Sequence, residues 1–213
     1  MHTQKTAPAR GKFYLPFLAA VLTGVLPLSA SAKSKGDIGS PKPEGKSVQQ
    51  GDTWTLTGGG ADIFGLSDQF HFESTSASGN CALSAKVVSL GADGCQDWAK
   101  AALMIRADES VGAPHATISI SHGGTIAFLT RTTPGGDTHS EKLPKMSFPI
   151  FLRLERKGDD FTSSYSLDGK KWTTVGKTMT VPMKPASLAG MAVTSHADGT
   201  ACTAVFSNYV LRR

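Results

Sequence analysis

The stretch that decides the fold runs from Trp98 to Thr132 and reads WAKAALMIRADESVGAPHATISISHGGTIAFLTRT. Apolar and polar residues alternate in three of its segments, as they do in strands with one buried face. Gly123 and Gly124 separate the second segment from the third, and glycine supplies the positive φ that a tight hairpin needs. The stretch therefore predicts three antiparallel strands, the second and third joined as a hairpin.

The polar residues of these strands are predicted to share the face opposite the apolar ones. Strand alternation and hairpin pairing place Arg106, His115 and Arg131 together there. One interpretation is a solvated face of an antiparallel sheet, which needs such residues in any case. The other is a concave binding surface whose guanidinium and imidazole groups meet sugar hydroxyls or carboxylates. Arg106 has a structural alternative, a cross-strand ion pair with Glu73 or Glu155.

The remaining chain has the same all-β character. Its 23 glycines and many Ser and Thr residues lie among short alternating segments without a convincing helical period. Asp168-Gly169, flanked by strand residues, is a strong hairpin signal, whereas the polar segment Thr133–Ser147 is expected to be a loop. Roughly a dozen short strands indicate an antiparallel two-sheet β-sandwich over residues 52–213.

Residues 1–32 have the features of a secretory signal peptide. A basic start precedes the apolar run Phe13–Leu28, and Ala30-Ser31-Ala32 is a small-residue cleavage site. The alternative is an uncleaved membrane anchor, but sixteen residues interrupted by two prolines fall short of the ~20 that a spanning helix needs. The prediction is a secreted or periplasmic protein that starts at Lys33 and is not stably inserted in a membrane.

The segment after this leader, Lys33–Gly51, is rich in Lys, Gly, Pro and Ser and has no apolar period. Such composition is typical of linkers and disordered arms. A flexible linker is therefore expected over residues 33–51.

The net charge of +5 comes largely from the leader. Removing Lys5, Arg10 and Lys12 leaves 19 of the 22 basic residues against 17 acidic ones. Surfaces that follow a phosphate backbone need clustered Lys and Arg, so no nucleic-acid partner is expected.

Three cysteines, Cys81, Cys95 and Cys202, follow the leader. In an oxidising compartment they favour one disulfide and one remaining thiol. Cys202 opens the last strand, and antiparallel pairing with the strand between the other two brings Cys95 toward it. The bond Cys202–Cys95 is favoured and Cys202–Cys81 stays open. The spacings match no zinc pattern, and a catalytic thiol would need a basic setting that the sequence does not reveal.

Several short motifs carry a family resemblance. The chain resembles a bacterial domain family of unknown function, sometimes labelled as regulation-of-enolase-like, in the concanavalin A-like lectin and glucanase group. The resemblance covers about residues 54–211 and rests on these motifs: Gly60-Ala61-Asp62-Ile63-Phe64-Gly65, Asp68-Gln69-Phe70-His71-Phe72, Trp98-Ala99-Lys100-Ala101, Met104-Ile105-Arg106, His115-Ala116, Asp168-Gly169, Ala192-Val193-Thr194-Ser195-His196 and Phe206-Ser207-Asn208. It implies a jelly-roll β-sandwich and names no activity.

This resemblance allows for carbohydrate binding, with an aromatic plane from Trp98 or Phe64. Phe64 stands where the family is expected to have Trp, which weakens sugar stacking through that loop. His71 is a further candidate for the binding surface, or else a structural histidine. The candidate ligand-binding residues are therefore Arg106, His115, Arg131, His71 and Trp98.

Enzyme chemistry is the alternative, because the group includes glycoside hydrolases. Their mechanism needs two carboxyls about 5–9.5 Å apart, whereas Glu73, Glu155 and Asp168 are isolated acids that only the fold could bring together. The leading hypothesis is a non-catalytic, lectin-like glycan-binding protein. The alternatives are a polysaccharide hydrolase or lyase with dispersed catalytic groups, and a structural or protein-interaction domain. No cofactor is predicted, although Asp62, Asp68 and Asn208 are potential ligands of a structural calcium.

Overall fold

The computed structural model describes residues 1–3, 36–91 and 95–213. These residues contain seventeen strands. Their bounds are β1 Asp37–Ile38, β2 Lys46–Gln50, β3 Thr53–Gly58, β4 Ile63–Phe64, β5 Ser67–Asp68, β6 Phe70–Ser78, β7 Cys81–Gly91, β8 Lys100–Arg106, β9 His115–Ser121, β10 Thr125–Arg131, β11 His139–Lys145, β12 Ile150–Lys157, β13 Asp160–Ser166, β14 Thr173–Thr174, β15 Met179–Thr180, β16 Ala186–Thr194 and β17 Cys202–Arg212.

The strands form two large antiparallel sheets. The first sheet has the order β1-β6-β16-β8-β9-β10-β11, and the second has the order β14-β13-β12-β7-β17-β3-β2, with β15 paired to β13. The short hairpin β4–β5 stands apart from both. This arrangement confirms the predicted all-β, antiparallel two-sheet jelly-roll β-sandwich.

The main core lies between the two sheets. Alternate residues of the central strands point into it and are fully buried, among them Leu103, Ile118 and Phe128 of the first sheet and Leu83, Leu152 and Phe206 of the second. Each such side chain contributes about 1.5–3 kcal/mol through removal from water. The alternation in the sequence is therefore the signature of this inter-sheet packing.

The three strands predicted between Trp98 and Thr132 are adjacent in the first sheet as β8, β9 and β10. Gly124 adopts a φ of 90° in the β9–β10 turn, as the hairpin prediction requires. Gly169 has a φ of 71° in the turn after β13. In that turn Asp168 accepts hydrogen bonds of 2.8 Å from the backbone N–H groups of Lys170 and Lys171.

Two segments expected to be irregular contain strands. The prediction of a flexible linker over residues 33–51 is wrong from residue 36 onward. In this segment β2 pairs with β3 along its whole length, and β1, which contains the buried Ile38, pairs with β6. The loop expected at Thr133–Ser147 contains the edge strand β11. Edge strands with mostly polar side chains show no period-2 pattern, so alternation alone does not reveal them.

The structure joins Cys95 to Cys202, with α-carbons 5.1 Å apart, which is the bond that the sequence favoured. Cys81 remains a free thiol whose pKa is raised by burial. The signal peptide predicted for residues 1–32 lies outside the described residues except for residues 1–3. In the part of the chain that the structure describes, no helix is long and apolar enough to cross a membrane.

Candidate functional site

Polar side chains line up in rows on the outer face of the first sheet, the face turned away from the core between the sheets. Strand register sets Arg106 opposite His115, and His115 opposite Arg131. Four residues further along β9, on the same face, Ser119 is flanked in the same way by Ala102 and Ala127. The sequence correctly predicted that Arg106, His115 and Arg131 share one face.

The β4–β5 hairpin packs on this outer face. Its Ile63 is fully buried against a small apolar cluster that includes Phe72 and Met104. Gly60, with a φ of 114°, leads into the hairpin and passes so close to Gln69 that a Cβ would lie 2.0 Å from the Gln69 carbonyl oxygen. A side chain at Gly60 would therefore push the hairpin away from the sheet.

Asp68, the last residue of the hairpin, binds both arginines of the row. Its Oδ1 accepts a 2.7 Å hydrogen bond from Arg131 Nη2, and its Oδ2 accepts one of 2.7 Å from Arg131 Nη1 and one of 3.3 Å from Arg106 Nη1. All three side chains are 0% exposed. We call Asp68, Arg106, His115 and Arg131 the arginine cluster.

The remaining donors of the two arginines hold the surrounding loops. Arg106 donates to the carbonyl oxygens of Asp108 and Ser110 on the β8–β9 loop. Arg131 donates to the carbonyl oxygen of Gly65 in the hairpin turn at 3.0 Å. Arg131 also donates to the carbonyl oxygen of Gly136, in the β10–β11 loop, at 3.1 Å. The arginine cluster thus connects the hairpin and two loops above the sheet, and charge-assisted bonds of this kind are stronger than neutral ones.

His115 is buried between the two guanidinium groups. Burial lowers the pKa of His115 well below 6.5, and the positive charges of Arg131 and Arg106 lower it further. Its Nδ1 lies 3.0 Å from the Thr117 hydroxyl, and its Nε2 is a buried atom that has no hydrogen-bond partner among the described residues. The imidazole is therefore neutral in the folded protein.

The prediction that Arg106, His115 and Arg131 form an exposed binding surface is wrong. Arg106, His115 and Arg131 are each 0% exposed, because the hairpin and two loops cover them. The partner of Arg106 is Asp68 rather than the expected Glu73 or Glu155. His71 is also buried, with Nδ1 2.6 Å from Asp37 Oδ1 and Nε2 2.8 Å from Ser47 Oγ, so it links the N-terminal strands to β6.

A pocket of about 290 Å³ opens on the same outer face, beside the hairpin and over β9, β10 and β11. Its lining combines an apolar floor, aromatic edges, hydroxyls and four ionisable groups. The lining residues are Asp62, Phe64, Trp98, Lys100, Ser119, Ser121, Thr125, Ala127, Leu129, Ser140, Lys142 and His196. Of the five ligand-binding residues predicted from the sequence, Trp98 alone lies in this lining.

Trp98 sits in the turn that leads into β8 and is 43% exposed. The turn is fixed by the Cys95–Cys202 disulfide and by a 2.8 Å hydrogen bond from the Gly123 N–H to the Asp97 carbonyl oxygen. The ammonium group of Lys142 on β11 lies 4.7 Å from the centroid of the Trp98 ring, within cation–π range. Phe64, on the hairpin, is also 43% exposed.

Asp62 organises the charged side of the pocket. It accepts a hydrogen bond from Lys100 Nζ, and His196 Nε2 lies 3.4 Å from its other oxygen. Burial lowers the pKa of Lys100, while the charge of Asp62 opposes this shift. His196 has a φ of 60°, a conformation that is uncommon for a residue with a side chain and that clusters at functional sites.

The potential calcium ligands do not converge. Asp62 pairs with Lys100 and His196, Asp68 pairs with the two arginines, and Asn208 hydrogen-bonds Asp52. Among the described residues, no group of three or more His, Cys, Asp or Glu side chains is placed to hold a metal ion. The oxygens of Asp62 and Asp68 instead neutralise nearby cations.

Sequence reasoning missed most of the charged side of the pocket. Lys142 lies on the edge strand β11, in the segment predicted to be a loop, and the sequence indicates His196 only as part of a family motif and as a candidate structural histidine. Asp62 was considered as a calcium ligand. Lys100 alone was predictable, because the alternation of β8 places it on the same face as Arg106.

No family model matches the sequence, and no curated protein sequence is significantly similar to it. A functionally unknown protein from Saccharomyces cerevisiae shares the fold with a TM-score of 0.64 and 18% identity, over 83% of this chain and 95% of that one. The carbohydrate-binding module CBM66 from Bacillus subtilis has a TM-score of 0.55 and 16% identity, over 80% and 92%. A xylan β-1,4-xylosidase from Bacillus halodurans C-125 has a TM-score of 0.50 and 12% identity, over 79% of this chain and 38% of that one.

These comparisons establish a common β-sandwich fold. Carbohydrate-related proteins are among the chains that share it. A shared fold does not determine function, because function depends on the site built on that fold.

Proposed function

We propose that this protein is a secreted, non-catalytic β-sandwich of lectin type that binds glycan on the outer face of its first sheet. The observation that supports the proposal is the pocket between Trp98 and Phe64, which places two half-exposed aromatic rings beside an apolar floor of Ala127 and Leu129. The ligand site proposed is this pocket, not the buried arginine cluster.

The pocket suits the chemistry of a sugar ring. Aromatic side chains offer flat apolar surfaces to C–H groups, and side-chain hydroxyls and charged groups bind sugar hydroxyls. Ser119, Ser121 and Thr125 carry such hydroxyls along the lining. Ligand pockets typically span roughly 300–1,000 Å³, so a pocket of about 290 Å³ fits one sugar residue of a longer chain better than a large compact ligand.

The fold comparisons support the same proposal, since a carbohydrate-binding module from Bacillus subtilis shares the sandwich over 80% of this chain. That protein is a carbohydrate-binding module by name, and at 16% identity the likeness concerns the fold alone. The proposal therefore rests mainly on the side chains that line the pocket.

A non-catalytic role is favoured over hydrolysis by the acids around the pocket. Asp62 is the single carboxylate among the described residues that line it, and this group already pairs with Lys100. Glycoside hydrolysis usually needs two carboxyls across the scissile bond. Glu73, Glu155 and Asp168 are not among the lining residues.

Screening the mature protein on a broad glycan array tests the proposal. A matched pair of hairpin variants, Phe64→Ala and Leu66→Ala, assigns any binding to the pocket, because both side chains are exposed and only Phe64 lines it. Phe64→Ala should weaken binding by about five- to tenfold, whereas Leu66→Ala should leave it unchanged. A chain that binds no glycan on the array would favour a structural or protein-interaction domain.

We also propose export to the periplasm or the cell exterior, on the basis of the predicted signal peptide and the Cys95–Cys202 disulfide. N-terminal sequencing of protein from its native host should find Lys33 as the first residue. Recovery of intact Met1 in the membrane fraction would contradict export with cleavage.

A further inference from the structure

The pocket contains more basic side chains than carboxylates. Its lining holds Lys100, Lys142 and His196 but a single carboxylate, Asp62. Asp62 is engaged on one oxygen by Lys100 and approached on the other by His196. The carboxylate of Asp62 is therefore already occupied by two basic side chains and does not neutralise Lys142.

Lys142 carries the unneutralised charge. In the described part of the chain its ammonium group has no carboxylate within ion-pair distance, and its contact is the face of the Trp98 ring. The positive charge of Lys142 also helps to lower the pKa of Lys100, after the larger effect of burial. The two ammonium groups therefore repel each other across the pocket.

The surroundings extend this positive charge. An adjoining pocket of about 80 Å³ shares Trp98, Ser121 and Thr125 with the first, and its lining also includes Lys145. Lys142 and Lys145 both belong to the edge strand β11, where long side chains are exposed and adaptable. Asp97 lines the adjoining pocket as well, so the excess of positive charge is centred on Lys142.

We infer that the pocket selects an anionic sugar, whose carboxylate or sulfate group is bound by Lys142 while Trp98 and Phe64 contact the sugar ring. This inference rests on the proposed glycan-binding function and specifies its ligand class. A bound anion neutralises the charge that the pocket leaves unpaired, and a charge-assisted hydrogen bond is about twice as strong as a neutral one. Asp62 orients Lys100 and His196 and repels an anion from that side, so the anionic group is directed toward β11.

Matched pairs of ligands test the inference. Oligogalacturonate, oligomannuronate and hyaluronan oligosaccharides are each compared by calorimetry with their own methyl esters, which keep the backbone and remove the charge. Dextran sulfate against dextran provides the sulfate arm. At least one anionic member should bind about tenfold or more tightly than its neutral partner. This preference should shrink as the salt concentration is raised from about 0.02 M to about 0.5 M.

A matched pair of protein variants locates the effect. Lys142→Gln should lose about tenfold in affinity for the anionic ligand and little for the neutral ester. Lys157→Gln makes the same charge change at an exposed residue of the second sheet and should behave as the wild type.

Three results would overturn the inference. They are equal binding of charged and neutral partners, binding by neutral glycans alone, and an anionic preference that survives in Lys142→Gln. Each leaves glycan binding itself intact. Failure to bind any charged or neutral glycan would instead remove both the inference and the function on which it rests.

Discussion

Asp68 and Arg131 form a two-point ion pair that is completely enclosed, with Nη1–Oδ2 and Nη2–Oδ1 distances of 2.7 Å and no exposure of either side chain. The pair joins the β4–β5 hairpin to β10, and Arg106 extends it to β8. Because Phe64 lies on the hairpin and Asp62 immediately precedes it, the geometry of the pocket depends on an ion pair that is not part of its lining.

Replacing Asp68 with Asn should destabilise the protein by about 3–5 kcal/mol, because two buried arginines lose their counter-charge. In a thermal melt the Tm should fall by on the order of 10 °C. Glu109→Gln, which neutralises an exposed acid on the neighbouring β8–β9 loop, is the control and should melt like the wild type. Equal melting of Asp68→Asn and Glu109→Gln would show that the arginine cluster does not hold the hairpin.

Stability should depend on pH through His115. The folded pKa of this residue is held well below 6.5, so below about pH 6.5 the unfolded chain takes up a proton that the folded protein excludes. The free energy of unfolding should therefore decrease as the pH falls from about 6.5, with a slope of at most about 1.4 kcal/mol per pH unit from this group. Above that pH both states are neutral at His115 and the contribution disappears.

Urea melts at a series of pH values separate this effect from other titrations. His115→Gln removes the titrating ring and should flatten the acid side of the stability curve, whereas His122→Gln, at an exposed position in the β9–β10 turn, should leave the curve unchanged. Parallel curves for the wild type and His115→Gln would contradict a neutral, buried imidazole.

Loss of the disulfide should affect both stability and binding. The double variant Cys95→Ala, Cys202→Ala opens a cross-link between residues 107 positions apart and should lose about 2–5 kcal/mol of unfolding free energy. Since Cys95 lies three residues before Trp98, ligand affinity should fall as well. Cys81→Ala keeps the disulfide and should retain the affinity. Wild-type affinity in the folded double variant would mean that the bond does not position Trp98.

The sequence predicted β8, β9 and β10 and the shared face of Arg106, His115 and Arg131, because strand alternation is a local property. It did not predict their burial. Covering that row requires the β4–β5 hairpin, whose position depends on Ile63 packing and on Asp68 contacts more than thirty residues away in the chain. A residue that looks solvent-facing on one strand becomes interior when a distant loop folds over it.

The pocket was predictable only in part. Trp98 is among the predicted binding residues, and Phe64 is the weaker of the two aromatic candidates because it stands where Trp is expected; both line the pocket. Lys142 gave no signal, since β11 is an edge strand with mostly polar residues and no alternation. His196 reaches Asp62 through a backbone turn with positive φ, a conformation that residue type alone does not indicate.

The central claim, that the pocket beside Trp98 binds glycan, is tested most directly by calorimetric titration of a glycan identified on the array into Trp98→Ala and Trp172→Ala. Both variants remove one indole, but Trp172 stacks on Arg153 of the second sheet, 3.8 Å from its guanidinium carbon. Affinity should fall about tenfold in Trp98→Ala, with a Tm close to that of the wild type, and should be unchanged in Trp172→Ala. Undiminished binding by Trp98→Ala, or loss of binding in Trp172→Ala alone, would contradict this site.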